Sequence, residues 1–381
     1  MVMQRSILSV KFNYKTYGAQ QSDQDSASLI YRKLGFEVTE CLVDLVTKKA
    51  KFYPEKNLQK LKIYNKTLIY LRYLRYYIVN FDNAQREYYT LDNFYNISIF
   101  AANLNHPIII AENSDLTFLT FVTKCCRYTR SVNFAPIHSL KEYNRVKGLG
   151  LFLSRLYSVI IERLCNNILS IDEKDLRLYG RIPSNKKMEV LGLRNLLVNQ
   201  EVQFKSIDFD NIKPGFTSLA STYNVNHNLK NLNFFYSAFE SYRIENVTFN
   251  VYGTKVPNLK FDEHFFKLRG WVKNINQIFD ENDLFVAMYG GTGQMMKLYE
   301  PLSKGKLLIA NPDLLEHSKF LPNVHFLPAS NPYQFISQIA YSICNPLKVK
   351  KYRIAGFELF HQVFNLEAHL NKLSFFFNNH T

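Results

Sequence analysis

The feature that most constrains this chain is an alternation of short β-branched runs with helix-length segments, which occurs twice along its length. Ser6 to Phe12 is apolar and β-branched, and reads as a strand. A polar loop, Tyr17-Gly18-Ala19-Gln20-Gln21, follows it. Ser26 to Leu34 has a helical pattern that stops at Gly35, and Phe36 to Leu42 returns to strand. Strand, glycine-bearing loop, helix and strand in that order open a doubly wound α/β domain. Further strands are expected at Ile97–Ala101, Pro107–Ala111, Ser131–Phe134 and Asn167–Ile171, with a helix over Leu151–Asn166.

The alternation restarts beyond a polar stretch near 186–213. Strands are expected at Phe216–Ala220, Val247–Tyr252, Phe266–Gly270, Leu284–Met288, Lys306–Ala310 and Val324–Leu327. Helices are expected at Asn228–Tyr242, Lys273–Asp280, Gln294–Lys304 and Pro332–Ile343, and an aromatic-rich last helix over about Val349–Phe377. A length of 381 residues suits two domains of roughly 150–200 residues each. The five cysteines make no CxxC pair and no spaced Cys/His set, which argues against a zinc site and suits reduced thiols of a cytoplasmic protein. Met1 to Val10 reads as part of a first strand rather than a signal peptide, and no uncharged run approaches the ~18–20 residues that span a bilayer. The expectation is a cytoplasmic protein, soluble or peripheral on the inner face of a membrane.

The most informative segment runs from Leu284 to Gly305. A buried strand leads to Gly290-Gly291-Thr292-Gly293, and a helix begins at once with Gly305 just past its end. Glycines let the backbone approach a ligand closely. The new helix offers unpaired N–H groups and a partial positive charge, which suit a diphosphate. Lys297 adds a full charge one turn in, and Glu300 lies three residues further on the same side. A carboxylate there can accept hydrogen bonds from the vicinal hydroxyls of a ribose. The competing reading is a tight turn followed by an exposed Lys297–Glu300 pair. The turn is no Walker loop, because no Gly-Lys-Ser/Thr follows, and Gly18 alone is no dinucleotide fingerprint.

Four stretches, in order, give this half of the chain a family likeness. They are Phe249-Asn250-Val251-Tyr252-Gly253, Leu268-Arg269-Gly270-Trp271-Val272, Asp283-Leu284-Phe285-Val286, and the run from Gly291-Thr292-Gly293-Gln294-Met295 through Lys297 and Glu300-Pro301-Leu302 to Gly305-Lys306. Together they resemble the C-terminal domain of family 4 glycosyltransferases. Asn133 to Arg145 with His138 resembles the family's His-containing segment, and Glu162, Ile168–Ile171 and Lys174-Asp175 resemble the close of its first domain. The resemblance implies a GT-B fold: two Rossmann-like domains facing across a cleft, an acceptor-side domain over 1–182 completed by a crossing helix at 350–381, and a donor domain over 183–349. It implies a retaining, metal-independent transfer with no cofactor, from a UDP- or GDP-linked sugar to a glycan or lipid-linked acceptor. Glu300 would bind the ribose, and Gly290 to Met295 with Lys297 would face the diphosphate and sugar. Gly253, at the end of its strand, would be a donor-binding residue, and Gly270, Trp271 and Val272 would bind the donor against its base. His138 would reach the transferred sugar, and Tyr17-Gly18 would form an acceptor-side loop.

The family often carries two glutamates with seven residues between them; Glu300 stands at the second position and Thr292 at the first. That departure supplies the alternative, a catalytically inactive GT-B homologue that acts as a binding or scaffold partner. Arg194, Lys230 and Arg269 are further cations that could meet a phosphate.

The net charge of +15 is unevenly spread. Residues 48–75 hold nine lysines and arginines against Glu55 alone, with Leu58, Leu61, Leu68, Leu71 and Tyr76 at roughly helical spacing. A basic amphipathic helix over 48–77 could lie on an anionic membrane. It could equally be a core-packed helix with a solvated cationic face. No nucleic-acid recognition motif accompanies the charge, and no nucleic-acid partner is expected.

Overall fold

The computed structural model describes residues 6–13, 19–44, 49–53, 73, 90–102, 108–111, 130–135, 167–170, 187–190, 207–223, 226–257, 265–290, 296–316 and 318–380. The chain divides into two compact units, one of Met1–Val198 with Leu366–Thr381, the other of Asn199–Gly291 with Met295–Asn365.

The first unit is built on β1 (Ser6–Asn13), α1 (Ala19–Lys33), β2 (Glu37–Asp44), β3 (Ala50–Tyr53), α2 (Leu91–Ala102), β4 (Ile108–Ala111), β5 (Arg130–Ala135), β6 (Asn167–Ser170) and β7 (Lys187–Val190). Among the described residues its seven strands run in the order β3-β2-β1-β4-β5-β6-β7, parallel except for the antiparallel edge strand β3. Ile7, Leu8 and Val10 of β1 are all buried, as expected of a parallel strand covered on both faces. The helix α1 ends in a Schellman motif. Gly35 takes φ +84°, its N–H donates to the Arg32 carbonyl at 3.0 Å, and the Phe36 N–H reaches the Tyr31 carbonyl at 3.2 Å. Lys11 is buried in β1 and is paired there, its ammonium donating to Ser28 Oγ at 2.7 Å and lying 3.4 Å from the Glu40 carboxylate.

Three readings of the sequence change here. The run Ile97–Ala101 lies inside α2, not in a strand. Asn93, Ile97 and Phe100 recur at four and three residues and are buried, so the period is helical; the Phe100 ring stacks on Phe52 at 4.4 Å, and the Asn93 side chain accepts from the Ala50 N–H at 2.8 Å. That packing makes Ala50–Tyr53, with Lys51, an edge strand rather than the start of a basic helix. Of the rest of the 48–77 segment only Lys49 and Tyr73 are among the described residues. Finally, β7 adds to the first sheet, which carries the first unit past residue 182 to Val198.

The second unit contains β8 (Gly215–Thr222), α3 (Asn226–Ser241), β9 (Thr248–Thr254), β10 (Phe266–Gly270), α4 (Ile275–Glu281), β11 (Leu284–Ala287), α5 (Met296–Ser303), β12 (Leu307–Ala310), β13 (Leu327–Pro328), α6 (Pro332–Cys344) and α7 (Pro346–Val363). Its six strands are parallel, in the order β10-β9-β8-β11-β12-β13. The four residues of β11 and the four of β12 are all buried. An aromatic cluster under the sheet joins Phe216, Phe235, Phe249 and Phe335, with Phe216 stacked on Phe249 at 4.5 Å. Asn331 caps α6 through its side chain, with Pro332 at the first helical position.

The long C-terminal helix expected over 349–377 is two helices, broken at Phe364-Asn365, and the break is where the chain changes units. The helix α7 stays with the second unit because it packs closely on α5. A Cβ at Gly356 would come within 2.7 Å of the His325 carbonyl and 2.9 Å of a Leu302 methyl. Arg353 of α7 is 1% exposed and donates three hydrogen bonds to backbone: Nε to Gly305, Nη1 to Asn211 and Nη2 to Asp208, at 2.8–2.9 Å. The helix α8 (Leu366–His380) belongs to the first unit, where Phe377 meets Tyr31 and Phe36 edge-on at 6.2 and 5.2 Å.

Candidate donor site in the second unit

In an open parallel sheet, the crevice for a ligand lies beyond the carboxyl ends of the strands where the order reverses. In the second unit that point falls between β8 and β11, so the chain leaving β11 through Met288, Tyr289 and Gly290 is the place to look.

Asn231 fixes this exit. It is buried on α3, and its Oδ1 accepts from both the Met288 and the Tyr289 N–H at 2.8 Å. Its Nδ2 donates to the carbonyls of Tyr289 and His227. One amide thereby satisfies both polar backbone groups of Tyr289, which otherwise have no strand partner. Phe234, from the same helix, packs edge-on against the Tyr289 ring at 5.8 Å. Neither Asn228 nor Asn231 is prominent in a reading by motif. The available signal is two amides three residues apart on the helix face that also presents Leu232 and Phe235 to the core.

Lys297, in the first turn of α5, extends over the same exit. Its ammonium donates to the Tyr289 carbonyl at 3.2 Å and to Asn228 Oδ1 at 3.3 Å. Both acceptors are neutral, and burial pushes the ammonium down to about 8. Glu300 lies one turn further along α5. Burial pushes its carboxyl up to about 7, against the opposing pull of Lys304. No ion pair joins Lys297 to Glu300, and the Glu300 carboxylate has no hydrogen-bond partner among the described residues. The simple exposed pair weighed from the sequence is therefore not what forms. The helix closes in a second Schellman motif at Gly305, φ +64°, with Lys306 N–H on the Pro301 carbonyl at 2.9 Å.

The other expected site residues fall into three groups. Gly290 is partly exposed at the strand exit, beside the Lys297 ammonium. Gly253 has a packing reason to be glycine: at φ +140°, a Cβ would stand 2.3 Å from the Ala220 carbonyl and 3.0 Å from the Tyr223 ring. Gly270, at φ +69°, turns the chain out of the edge strand β10 into open space, followed by the half-exposed Trp271 and by Val272. With β10 three strand positions from β11, these residues lie about 14 Å across the sheet from the β11 exit, at ~4.8 Å per strand. Arg269 is engaged with Asn250 Oδ1 at 3.1 Å, and Lys230 is exposed on α3. Gly291, Thr292, Gly293, Gln294, Met295, His138, Arg194, Tyr17 and Gly18 lie outside the described residues.

No family profile matches the sequence, and no curated protein matches it. Solved structures do match in fold. HepE of Anabaena, determined in complex with UDP and glucose, superposes with a TM-score of 0.62 at 11% identity, over 98% of this chain and 99% of that one. Sucrose-phosphate synthase of Thermosynechococcus elongatus gives 0.65 at 11% identity, over 99% and 98%. TarM gives 0.57 at 12% identity over 74% of this chain, which spans 57% of TarM's length. These are GT-B glycosyltransferases, and this chain has the GT-B fold that the sequence resemblance implied.

Proposed function

We propose that the chain is a glycosyltransferase whose second unit binds a UDP- or GDP-linked sugar at the β11 exit. The observation that carries this reading is the pair of half-buried groups on α5: Lys297, an ammonium held by neutral acceptors at the β11 exit, and Glu300, a carboxylate without a partner among the described residues. A diphosphate at the exit would supply the anion that Lys297 lacks. Ribose hydroxyls would supply the donors that Glu300 lacks. A nucleoside extended toward β10 would bring its base to Trp271.

In the transfer, the bond from the anomeric carbon to the diphosphate breaks, and the acceptor hydroxyl oxygen bonds to that carbon while its proton passes to the departing phosphate oxygen. Negative charge builds on the leaving nucleoside diphosphate, and a preorganised cation there lowers the barrier. Lys297 takes that role without a metal. The reading gives His138 a hydrogen bond to the transferred sugar, a glycan or lipid-linked molecule as acceptor, and retention at the anomeric carbon. The cationic sequence of 48–77 would suit an acceptor held at an anionic membrane.

The test is calorimetric titration with UDP and GDP, followed by donor turnover with candidate acceptors. Lys297→Met should weaken nucleoside diphosphate binding by about tenfold to a hundredfold, the loss expected of one hydrogen bond to a charged group. Binding that does not change in Lys297→Met and Glu300→Ala would end the assignment. Binding without turnover on any acceptor would favour the inactive homologue, whose motive is Thr292 in place of a glutamate.

A further inference from the structure

At the other end of the second sheet, where β8, β9 and β11 begin, lies a polar cavity of about 160 Å³. Lys213, Gly215, Asn250, Lys267, Arg269 and Glu281 are among the residues that line it. Gly215 keeps its floor open, since a Cβ there would stand 3.0 Å from the Thr248 carbonyl and 3.5 Å from Asn250 Nδ2. The floor is rigid: Asn250 Nδ2 donates to Asn282 Oδ1 at 2.9 Å, and Asn282 Nδ2 donates to the Ile278 carbonyl at 2.8 Å and the Tyr252 hydroxyl at 3.2 Å.

The charges in this cavity are unequally satisfied. Asp283 is paired with Lys306 at 2.7 Å and also accepts from the Lys213 N–H at 3.1 Å. Glu281 accepts from Gln277 at 2.9 Å and from the Tyr252 hydroxyl at 3.1 Å. Lys267 and Arg269, by contrast, both line the cavity from β10, where the pairing with β9 shifts between Leu268 and Gly270 and leaves Arg269 as the extra residue. Lys267 has no hydrogen bond or ion pair among the described residues, and Arg269 uses only Nε, on Asn250. Lys213 contributes a third cation, anchored on the Asp280 carbonyl. With Asp283 balanced by Lys306, the three cations face Glu281 alone, an excess of two positive charges.

We propose that this cavity binds a phosphate-type dianion, held by Lys267 and the terminal nitrogens of Arg269. At ~30 Å³ per water the volume corresponds to about five water molecules, which is ample for four phosphate oxygens. A guanidinium presents paired donors to such an oxyanion, and a neighbouring lysine adds a point charge. The site is separate from the β11 exit and does not depend on the donor reading.

The experiment is calorimetric titration of the full chain with inorganic phosphate at fixed ionic strength, in a Lys297→Met background so that phosphate at the strand exit does not contribute. One saturable site is expected, weakened at least tenfold by Lys267→Gln combined with Arg269→Gln and weakened less when Arg269→Lys, which keeps the charge, replaces Arg269→Gln. Because Arg269 also holds Asn250, Lys267→Gln is measured alone as well; its side chain supports nothing else, and it should weaken binding severalfold. Titration with glycerol 1-phosphate separates the two sources of this chemistry: tighter binding than phosphate assigns a phosphomonoester, equal binding assigns the free ion. No saturable phosphate binding, or binding that survives the Lys267→Gln change intact, overturns the proposal.

Discussion

Asn231 holds Tyr289 from both sides, accepting its N–H at 2.8 Å and donating to its carbonyl with the same amide. The residue that leads into the glycine turn is therefore positioned by a side chain of a different helix, and its backbone polarity does not depend on a bound ligand for satisfaction.

Asn231→Ala should cost about 2 kcal/mol of unfolding free energy, because it strands the buried Met288 N–H and removes the partner of the part-buried Tyr289 N–H. Asn231→Asp keeps the acceptor but turns a carboxyl oxygen on the His227 and Tyr289 carbonyls, so it should destabilise as well, and more when ionised. Urea unfolding of the three proteins measures both, and equal stability of Asn231→Ala with the parent would refute the positioning role.

The pH dependence has two arms. Burial raises Glu300 from 4.5 to about 7, so its folded form holds the proton more tightly than the unfolded chain does. The stability it contributes is fully present below 4.5 and is lost as pH rises through about 7. Lys297 has the opposite sign: lowered from 10.5 to about 8, it contributes stability present above 10.5 and lost as pH falls through about 8. Glu300→Gln should flatten the acid arm, read from unfolding midpoints across that window.

Donor binding should move protons in the same two windows. Ribose hydroxyls favour the ionised Glu300, so binding near pH 6 should release protons; a diphosphate favours the charged Lys297, so binding near pH 9 should take them up. Calorimetry in buffers of different ionisation heat reads both signs. Heats independent of buffer at both pH values would contradict the placement of the ligand on α5.

Arg353→Leu should destabilise the second unit by about 3–5 kcal/mol. It removes donors from three backbone carbonyls at once and takes a cation from beside Asp283, 3.9 Å away. A guanidinium chloride titration followed by the intrinsic fluorescence of Trp271, the chain's single tryptophan, reports this unit alone. A shift equivalent to under 1 kcal/mol would show that the clamp is dispensable.

The second unit was largely legible in the sequence because its elements carry unambiguous punctuation. Gly305 ends a helix at positive φ, and Leu284–Ala287 and Leu307–Ala310 are short, wholly apolar runs that read as buried strands. Ile97–Ala101 misled because β-branched residues were weighed above the spacing of Asn93, Ile97 and Phe100. The site was legible only where a charge stood beside a glycine turn, as with Lys297 and Glu300. Asn228 and Asn231 act through contacts with residues 69 and about 57 positions away, and nothing local to an asparagine announces such a partner. The break at Phe364-Asn365 was hidden for a related reason. Its flanking helices have continuous helical patterns, and only the difference in what they pack against separates them.

That α8 completes the first unit has a consequence for biosynthesis. The half of the protein made first keeps Tyr31 and Phe36 uncovered until Phe377 has left the ribosome, so the earliest sheet is the last to close. Nascent chains halted anywhere before α8 would carry an unfinished first unit, and deletion of α8 would register as a defect around Tyr31 and Phe36, more than three hundred residues away.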